Sequence, residues 1–324
     1  MGSGYIRVEP DFSSILFCSL SSSPTSPLLY HQVSFLFFIA PVCELRKFKR
    51  KPATLNSICV RHGFVKMEDR KRALVSRLLQ YALVHQVLGI PFHQIIIKRT
   101  IEGKPYLEYD EVNLEFPNFN FNTSHQGDYV AIASEPLCLV GLDIVSPAIP
   151  GKETILEFVR NFSQYFSAWE WDCIVNAGTS DEILVEFYRY WSLKEAFVKA
   201  LGTGLAYRLD NVEFHHTNWT NIYVNRNGED KNEWRFWLSE LGKGHLVSIA
   251  RGPPRLAAES YKRTLKRVDF GEEEYHLGLH LPNASFKLQT VEQLVSVQGR
   301  ADYGIPTDNK VHRFEADEVV NGEI

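Results

Sequence analysis

The 324-residue sequence predicts an α+β fold built as two consecutive halves, about 61–150 and 151–252. Three observations point there. Strand-like and helix-like segments are mixed along the chain without regular β-α-β alternation. Each long helical stretch stops at a glycine and is followed by strand-like runs. Hydrophobic residues make up 44% of the chain and aromatics 13%, enough to bury a sizeable core.

The first helix is predicted over Glu68–Leu88, with a stripe through Leu74, Leu78, Tyr81, Ala82, His85 and Leu88. Gly89 and Pro91 end it. "QIIIKRT" is β-branched and reads as a strand, "EGKP" as a turn, and "YLEY" as a second extended segment. Phe119 and Phe121 begin another strand, which is expected to break at the polar "NTSHQGD" and re-form at "YVAIAS". "LCLVGLDIV" is a further strand with Asp143 near its end. A helix is predicted within 163–177, and a second from about Asp181 to Leu201. Thr179 and Glu182 before it have capping-box spacing, and Gly202 stops it. Strands follow at "NVEFHH", "NIYVN", "EWRFWLS" and "HLVSIAR". From 253 to 324 the chain is more polar and reads as a weakly structured tail with one short helix near "VEQLVSV".

Residues 1–60 read as an atypical extension, expected to be poorly ordered. Their longest apolar run, Phe35–Cys43, is shorter than the ~20 residues of a membrane helix. Only Arg7 precedes the first apolar run, a poor match to the basic start of a secretory signal. The basic run Arg46–Lys51 reads as a solvated stretch or a nuclear-import patch. Five cysteines without a C-x-x-C pair suggest neither a disulfide framework nor a zinc site, and fit a reducing, cytoplasmic setting. A net charge of -4 argues against a general nucleic-acid binder, and no membrane partner is expected.

Four clusters could carry chemistry. In "WSLKEAFVKA", Glu195 and Lys199 are four residues apart, which on an exposed helix makes an ion pair worth only about a few tenths of a kcal/mol. The surrounding Phe187, Tyr188, Tyr190, Trp191, Leu193, Phe197 and Val198 argue against full exposure. Buried charges need partners, which a metal ion or a phosphate would supply. Asp143 ends an apolar strand, where it is a turn cap or a ligand. Asn122, Thr123, Ser124, His125 and Gln126 form a polar cluster, read as a loop able to cradle an anion or as an ordinary turn. "NTS" is also a glycosylation sequon, which matters only in a secreted protein. Lys98, Arg99 and Lys104 bracket a tight turn, either a phosphate site or a solvated hairpin. No P-loop, H-E-x-x-H or G-x-S-x-G sequence is present, which removes those enzyme classes.

"GKPYL", "FNFNTSHQGDYVAIA", "VGLDIV" and, about fifty residues on, "WSLKEAFVKALGTGL" stand in an order that resembles the 4'-phosphopantetheinyl transferase superfamily. The likeness is to its large, Sfp-type members, the animal ones in particular, and covers about residues 62–250. It implies two similar α+β halves in a pseudo-twofold arrangement, a self-contained monomer. It also implies transfer of the 4'-phosphopantetheine arm of coenzyme A to a serine of an apo acyl or peptidyl carrier domain. Adenosine 3',5'-bisphosphate is the other product, and Mg²⁺ is required. By the same resemblance Asp143 and Glu195 match the metal ligands, and Lys199 the contact to the reacting phosphate. Gln126 fills the place of an acidic residue that bacterial members carry two positions after the aspartate, here Val145. Asn122, Thr123, Ser124 and His125 match coenzyme A contacts, and Arg99 and Lys104 the nucleotide's phosphate contacts. Arg61 is the nearest match to an upstream arginine near the adenosine. The family's strand ahead of the first helix has no clear counterpart in residues 1–60. The alternative reading is a coenzyme A- or carrier-binding module without catalysis.

Overall fold

A computed structural model of the chain describes residues 37–41, 66–109, 116–148, 151–204, 207–226, 229–231, 233–242, 244–281 and 286–294. Strand β1 (Phe37–Pro41) precedes helix α1 (Met67–Leu88), the hairpin β2 (Ile96–Arg99)–β3 (Pro105–Glu108) and the antiparallel pair β4 (Asn120–Gln126)–β5 (Tyr129–Glu135). The order then repeats. Strand β6 (Leu139–Val145) leads through short helices α2 (Ile155–Arg160) and α3 (Ala168–Val175) to helix α4 (Ser180–Leu201). The hairpin β7 (Val212–Thr217)–β8 (Thr220–Arg226) follows, extended by β9 (Glu229–Lys231), and then the pair β10 (Arg235–Glu240)–β11 (Leu246–Gly252).

The strand pairing repeats as well. β1 joins β5 antiparallel in the order β1-β5-β4, and β6 joins β11 antiparallel in the order β6-β11-β10. The α+β class is as the sequence predicts, but the repeat starts at β1 and again at β6, ahead of the boundaries expected near 61 and 151. "FFIAP", placed by sequence in the N-terminal extension, supplies the strand that precedes the first helix. It occupies in the first unit the place that β6 holds in the second.

Three other expectations are corrected. "NTSHQ" is not a loop but the continuation of β4, registered residue for residue against β5 from Asn120↔Glu135 to Gln126↔Tyr129. Its polar alternation has a cause in the neighbouring strand. Asn120, Asn122 and Ser124 lie on one face. Their side-chain oxygens accept the backbone N–H groups of Val140, Leu142 and Ile144 at 3.1, 2.9 and 3.1 Å. β4 thus satisfies the edge of β6 with side chains instead of backbone, and the two main sheets are stitched together there. The weak tail is corrected too. Beyond Gly252 the chain forms a short turn at Pro254–Leu256, α5 (Glu259–Lys262), α6 (Glu272–Leu279) and β12 (Phe286–Leu288), with a helical turn at 291–294. Widely spaced apolar residues anchor it: Tyr261, Tyr275, Leu279, Val291 and Leu294 are all buried. The helix expected within 163–177 is divided, because Ser167 caps α3 in a capping box with Glu170.

Helix α4 positions the site. It starts at the Thr179–Glu182 capping box and ends at Gly202, whose φ of 73° is left-handed. Its inner face buries Phe187, Tyr190, Leu193, Ala196, Phe197 and Ala200. At Gly141 the helix lies directly on β6: a Cβ there would come within 1.8 Å of the Ala196 carbonyl and 2.5 Å of the Ala200 nitrogen. Gly141→Ala is therefore expected to push α4 off β6 and destabilise the fold by about 3 kcal/mol. Urea unfolding measures this, and wild-type stability would show that the helix can slide without cost.

Candidate active site

The close approach at Gly141 sets two strands and one helix face to face. β6 brings Asp143, α4 brings Glu195 and Lys199, and β4 brings Ser124. Lys199 Nζ donates to Asp143 Oδ1 at 2.5 Å and to Ser124 Oγ at 3.1 Å, and Ser124 Oγ donates to the same Asp143 oxygen at 3.1 Å. The other oxygen, Asp143 Oδ2, is buried with no hydrogen-bond partner. A buried, unsatisfied carboxylate oxygen is costly and marks a place where a ligand belongs. Glu195 is close by. Burial pushes its carboxyl above the usual range, the Lys199 charge opposes this, and the Asp143 charge adds to it.

Glu195 and Lys199 open onto a cavity of about 390 Å³, with Asp143 and Ser124 behind Lys199 and outside its lining. Arg99, Lys104, Asn122, Thr123, Glu195 and Lys199 all line it. Trp191, Glu195, Val198, Lys199 and Gly202 line it from the α4 side at i, i+4, i+7, i+8 and i+11, one stripe of a helix. Trp191 counts by sequence only as part of an apolar shell, so its place on the wall is new. Tyr165 and Tyr207 join it on the wall. Neither stands near a polar motif, and no sequence signal marks them. The stripe itself is visible in the sequence once Glu195 is chosen as its centre.

The remaining predicted residues divide. Asn122 is 4% exposed and engaged with Leu142, which leaves no room for a glycan on its sequon. Residues 122–126 form a strand paired antiparallel to β5, not the loop expected there. Gln126 ends β4 on the Ser124 face and is exposed. His125 falls on the opposite face and is not part of the cavity lining. Desolvation, then the charges of Arg72 and Lys199, push its pKa below the usual histidine range. Arg99 stands in the lining with Nη1 bonded to the Gly103 carbonyl at 2.7 Å. Lys104 is only 5% exposed, and burial drives its ammonium well below the usual lysine range, with the Lys199 charge adding to the effect. Lys98 is paired with Glu108 away from the cavity lining. Arg61 lies outside the described residues.

The site is single although the fold is doubled. Counted back from the terminating glycine of each long helix, Glu195 and Lys199 correspond to Ala82 and Gln86 in α1. The first half therefore contributes strands and the hairpin but no second carboxylate–lysine pair.

Two known families of sequence coincide with the two units. Residues 57–137 match the family described as 4'-phosphopantetheinyl transferase, N-terminal, and residues 139–250 match the 4'-phosphopantetheinyl transferase superfamily. The chain belongs to the 4'-phosphopantetheinyl transferase superfamily. It is 39% identical over 199 residues to the L-aminoadipate-semialdehyde dehydrogenase-phosphopantetheinyl transferase of Mus musculus. It is also 39% identical over 201 residues to that of Homo sapiens. Each match covers 59% of this chain, and the chain spans 64% of the length of each of these relatives. The 4'-phosphopantetheinyl transferase psf-1 of Bacillus pumilus is 32% identical over 145 residues, covering 44% of this chain and 55% of the relative. In this superfamily member the join between the two matched regions falls between β5 and β6, where the structural repeat begins anew.

Among the described residues no three His, Cys, Asp or Glu side chains cluster as a metal site. The site instead offers two carboxylates, Asp143 and Glu195, with the amide of Gln126 on the same strand face as Ser124. Mg²⁺ accepts few carboxylates and keeps waters and substrate oxygens as its other ligands. The orphaned Asp143 Oδ2 fits such a hard cation. No helix among the described residues is long and apolar enough to cross a membrane.

Proposed function

We propose that this chain transfers the 4'-phosphopantetheine group of coenzyme A to a serine of an apo acyl or peptidyl carrier domain. Adenosine 3',5'-bisphosphate is released, and Mg²⁺ is required. The observation that carries the reading is the unpartnered, buried Asp143 Oδ2 beside Lys199, which with Glu195 lines the cavity. Family membership and the names of the relatives support it.

Asp143 and Glu195, with Gln126, would hold Mg²⁺, which when bound neutralises charge on the pyrophosphate. The residues of the chain account for the rest. Lys199, 28% exposed at its side chain, reaches the cavity and can exchange Asp143 for a phosphate oxygen. Arg99 offers a guanidinium fork to the nucleotide phosphates. Tyr165, Trp191 and Tyr207 give the wall an apolar body against which the arm or the base can pack. The carrier serine oxygen attacks the β-phosphorus, and the bond to the departing adenosine 3',5'-bisphosphate oxygen breaks. Glu195, whose carboxyl is raised by burial, accepts the serine proton. The carrier domains of fatty acid synthase and aminoadipate-semialdehyde dehydrogenase are candidate partners, in the cytoplasm, with the chain acting as a monomer.

The test is incubation of the chain with coenzyme A, Mg²⁺ and an apo carrier protein, read by mass spectrometry. The carrier should gain the mass of the phosphopantetheine arm, and chelation of the metal should stop the gain. Coenzyme A binding without any gain on a panel of carriers would make the chain a binding module instead.

A further inference from the structure

Lys104 lies in the wall of the cavity but is not presented as a phosphate ligand would be. Its Nζ donates to the Val140 carbonyl at 2.8 Å and to the Lys199 carbonyl at 2.5 Å. The ring of Tyr261 lies 4.7 Å from the same nitrogen. Two of the three ammonium protons are thus committed to backbone, and an aromatic face covers the group.

The two carbonyls belong to the elements that carry the chemistry. Lys199 sits in the last turn of α4, where the final four carbonyls of a helix lack intrahelical partners and a positive charge is favoured. Three of them are accounted for. The Gly202 amide bonds Val198, Lys104 bonds Lys199, and the Ala258 amide bonds Leu201 at 2.8 Å. Val140, three residues before Asp143, has its carbonyl on Lys104 and its amide on Asn120 Oδ1. The Tyr261 hydroxyl donates to that same Asn120 oxygen at 3.1 Å. Ser260 is bonded to Glu102 in the β2–β3 turn. The space is filled: a Cβ on Gly202 would meet Tyr261 at 3.1 Å and Lys104 at 3.2 Å.

We propose that Lys104 is a positioning residue, clamping the end of α4 that bears Lys199 to the strand that bears Asp143, with Ala258–Tyr261 as the brace behind the clamp. The brace lies beyond residue 250, where the family match ends. Lys104 therefore leaves phosphate recognition to Arg99 and Lys199. It holds Lys199 at the distance from Asp143 on which transfer depends.

The proposal rests on the transfer reading for its kinetic arm alone. In Lys104→Met the affinities for coenzyme A and for 3'-dephospho-coenzyme A, measured by titration calorimetry, should stay within about twofold of wild type. Transfer should fall in kcat by about 100-fold, as a misplaced reacting group costs. Amide exchange should accelerate in the last turn of α4 but not in α1. A loss of about tenfold or more in affinity for either nucleotide would mark a direct phosphate contact and overturn the proposal. So would unchanged exchange. If Lys104→Met does not fold, Lys104→Arg decides. It keeps the charge a phosphate needs but cannot place one nitrogen between the two carbonyls. Lost kcat with retained affinity supports the clamp, and wild-type kcat refutes it. If wild-type protein transfers nothing, the transfer reading fails, and the binding and exchange arms still decide the role of Lys104.

Discussion

Asp143→Asn is expected to lower phosphopantetheine transfer by about 100- to 1,000-fold, the range seen when one preorganised electrostatic contact is removed from an active site. Stability should hardly move. The amide keeps an oxygen for Ser124 and Lys199, the two donors that Asp143 Oδ1 serves. What disappears is the charge, whose second oxygen has no partner inside the protein. Lys199 loses its ion-pair partner, but its side chain is 28% exposed and water can solvate it. The melting curve should therefore shift by less than about 1 kcal/mol in unfolding free energy, in either direction. Activity loss without stability loss separates a ligand from a structural acid. Transfer within about twofold of wild type in D143N would refute the assignment, because a neutral amide would then serve as well as the anion. Chelating Mg²⁺ gives the companion result: wild type should fall to the level of D143N, and D143N should lose little more.

How much of this site was legible in the sequence depends on the physics behind each residue. Helix α4 was legible at both ends, since the Thr179–Glu182 box and Gly202 are local signals that need no tertiary information. That Asp143 and Lys199 belong to one site was legible only through the resemblance, and their direct ion pair was not legible at all, because it depends on Gly141 letting a helix rest on a strand. β4 was misread for a different reason. A strand is recognised by an apolar inner face, and here that face is Asn120, Asn122 and Ser124, which take the place of a neighbouring strand's backbone. Polarity that normally signals a loop was serving as sheet edge. The segment after Gly252 was misread because Tyr261, Tyr275 and Leu279 are anchors spaced too far apart to form a period. Lys104 read as a solvated turn lysine or a phosphate ligand, and nothing local reveals that its ammonium is shut between two carbonyls and a ring.

Lys194, the immediate neighbour of Glu195, carries the largest expected effect on stability. Adjacent residues on a helix point about 100° apart, so this Lys-Glu pair faces two ways. Glu195 turns to the cavity, and Lys194 is fully buried in the core. Its Nζ meets Glu170 Oε2 at 2.7 Å, with neither side chain exposed, and also donates to the carbonyls of Leu209 and Val212. Glu170 in turn accepts the amides of Ser167 and Phe214, both at 2.9 Å. One ion pair thus ties α3, the turn before β7 and β7 itself to helix α4. Burial pushes Lys194 down and Glu170 up from their usual ranges, and each partner opposes the other's shift. The sequence suggested that charges on so apolar a helix would be answered by a metal or a phosphate; for Lys194 the answer is a carboxylate of the same chain. Lys194→Met should cost about 3–5 kcal/mol, because Glu170 would stay behind as an uncompensated buried charge. Adding Glu170→Gln removes that charge but keeps an acceptor oxygen for only one of the Ser167 and Phe214 amides, so the double variant should recover about half of the loss. Urea unfolding of the two single variants and the double variant reads this directly. Equal stability of wild type and Lys194→Met would mean that the pair holds nothing together, and that the turn around Leu209 on the cavity wall is fixed by packing alone.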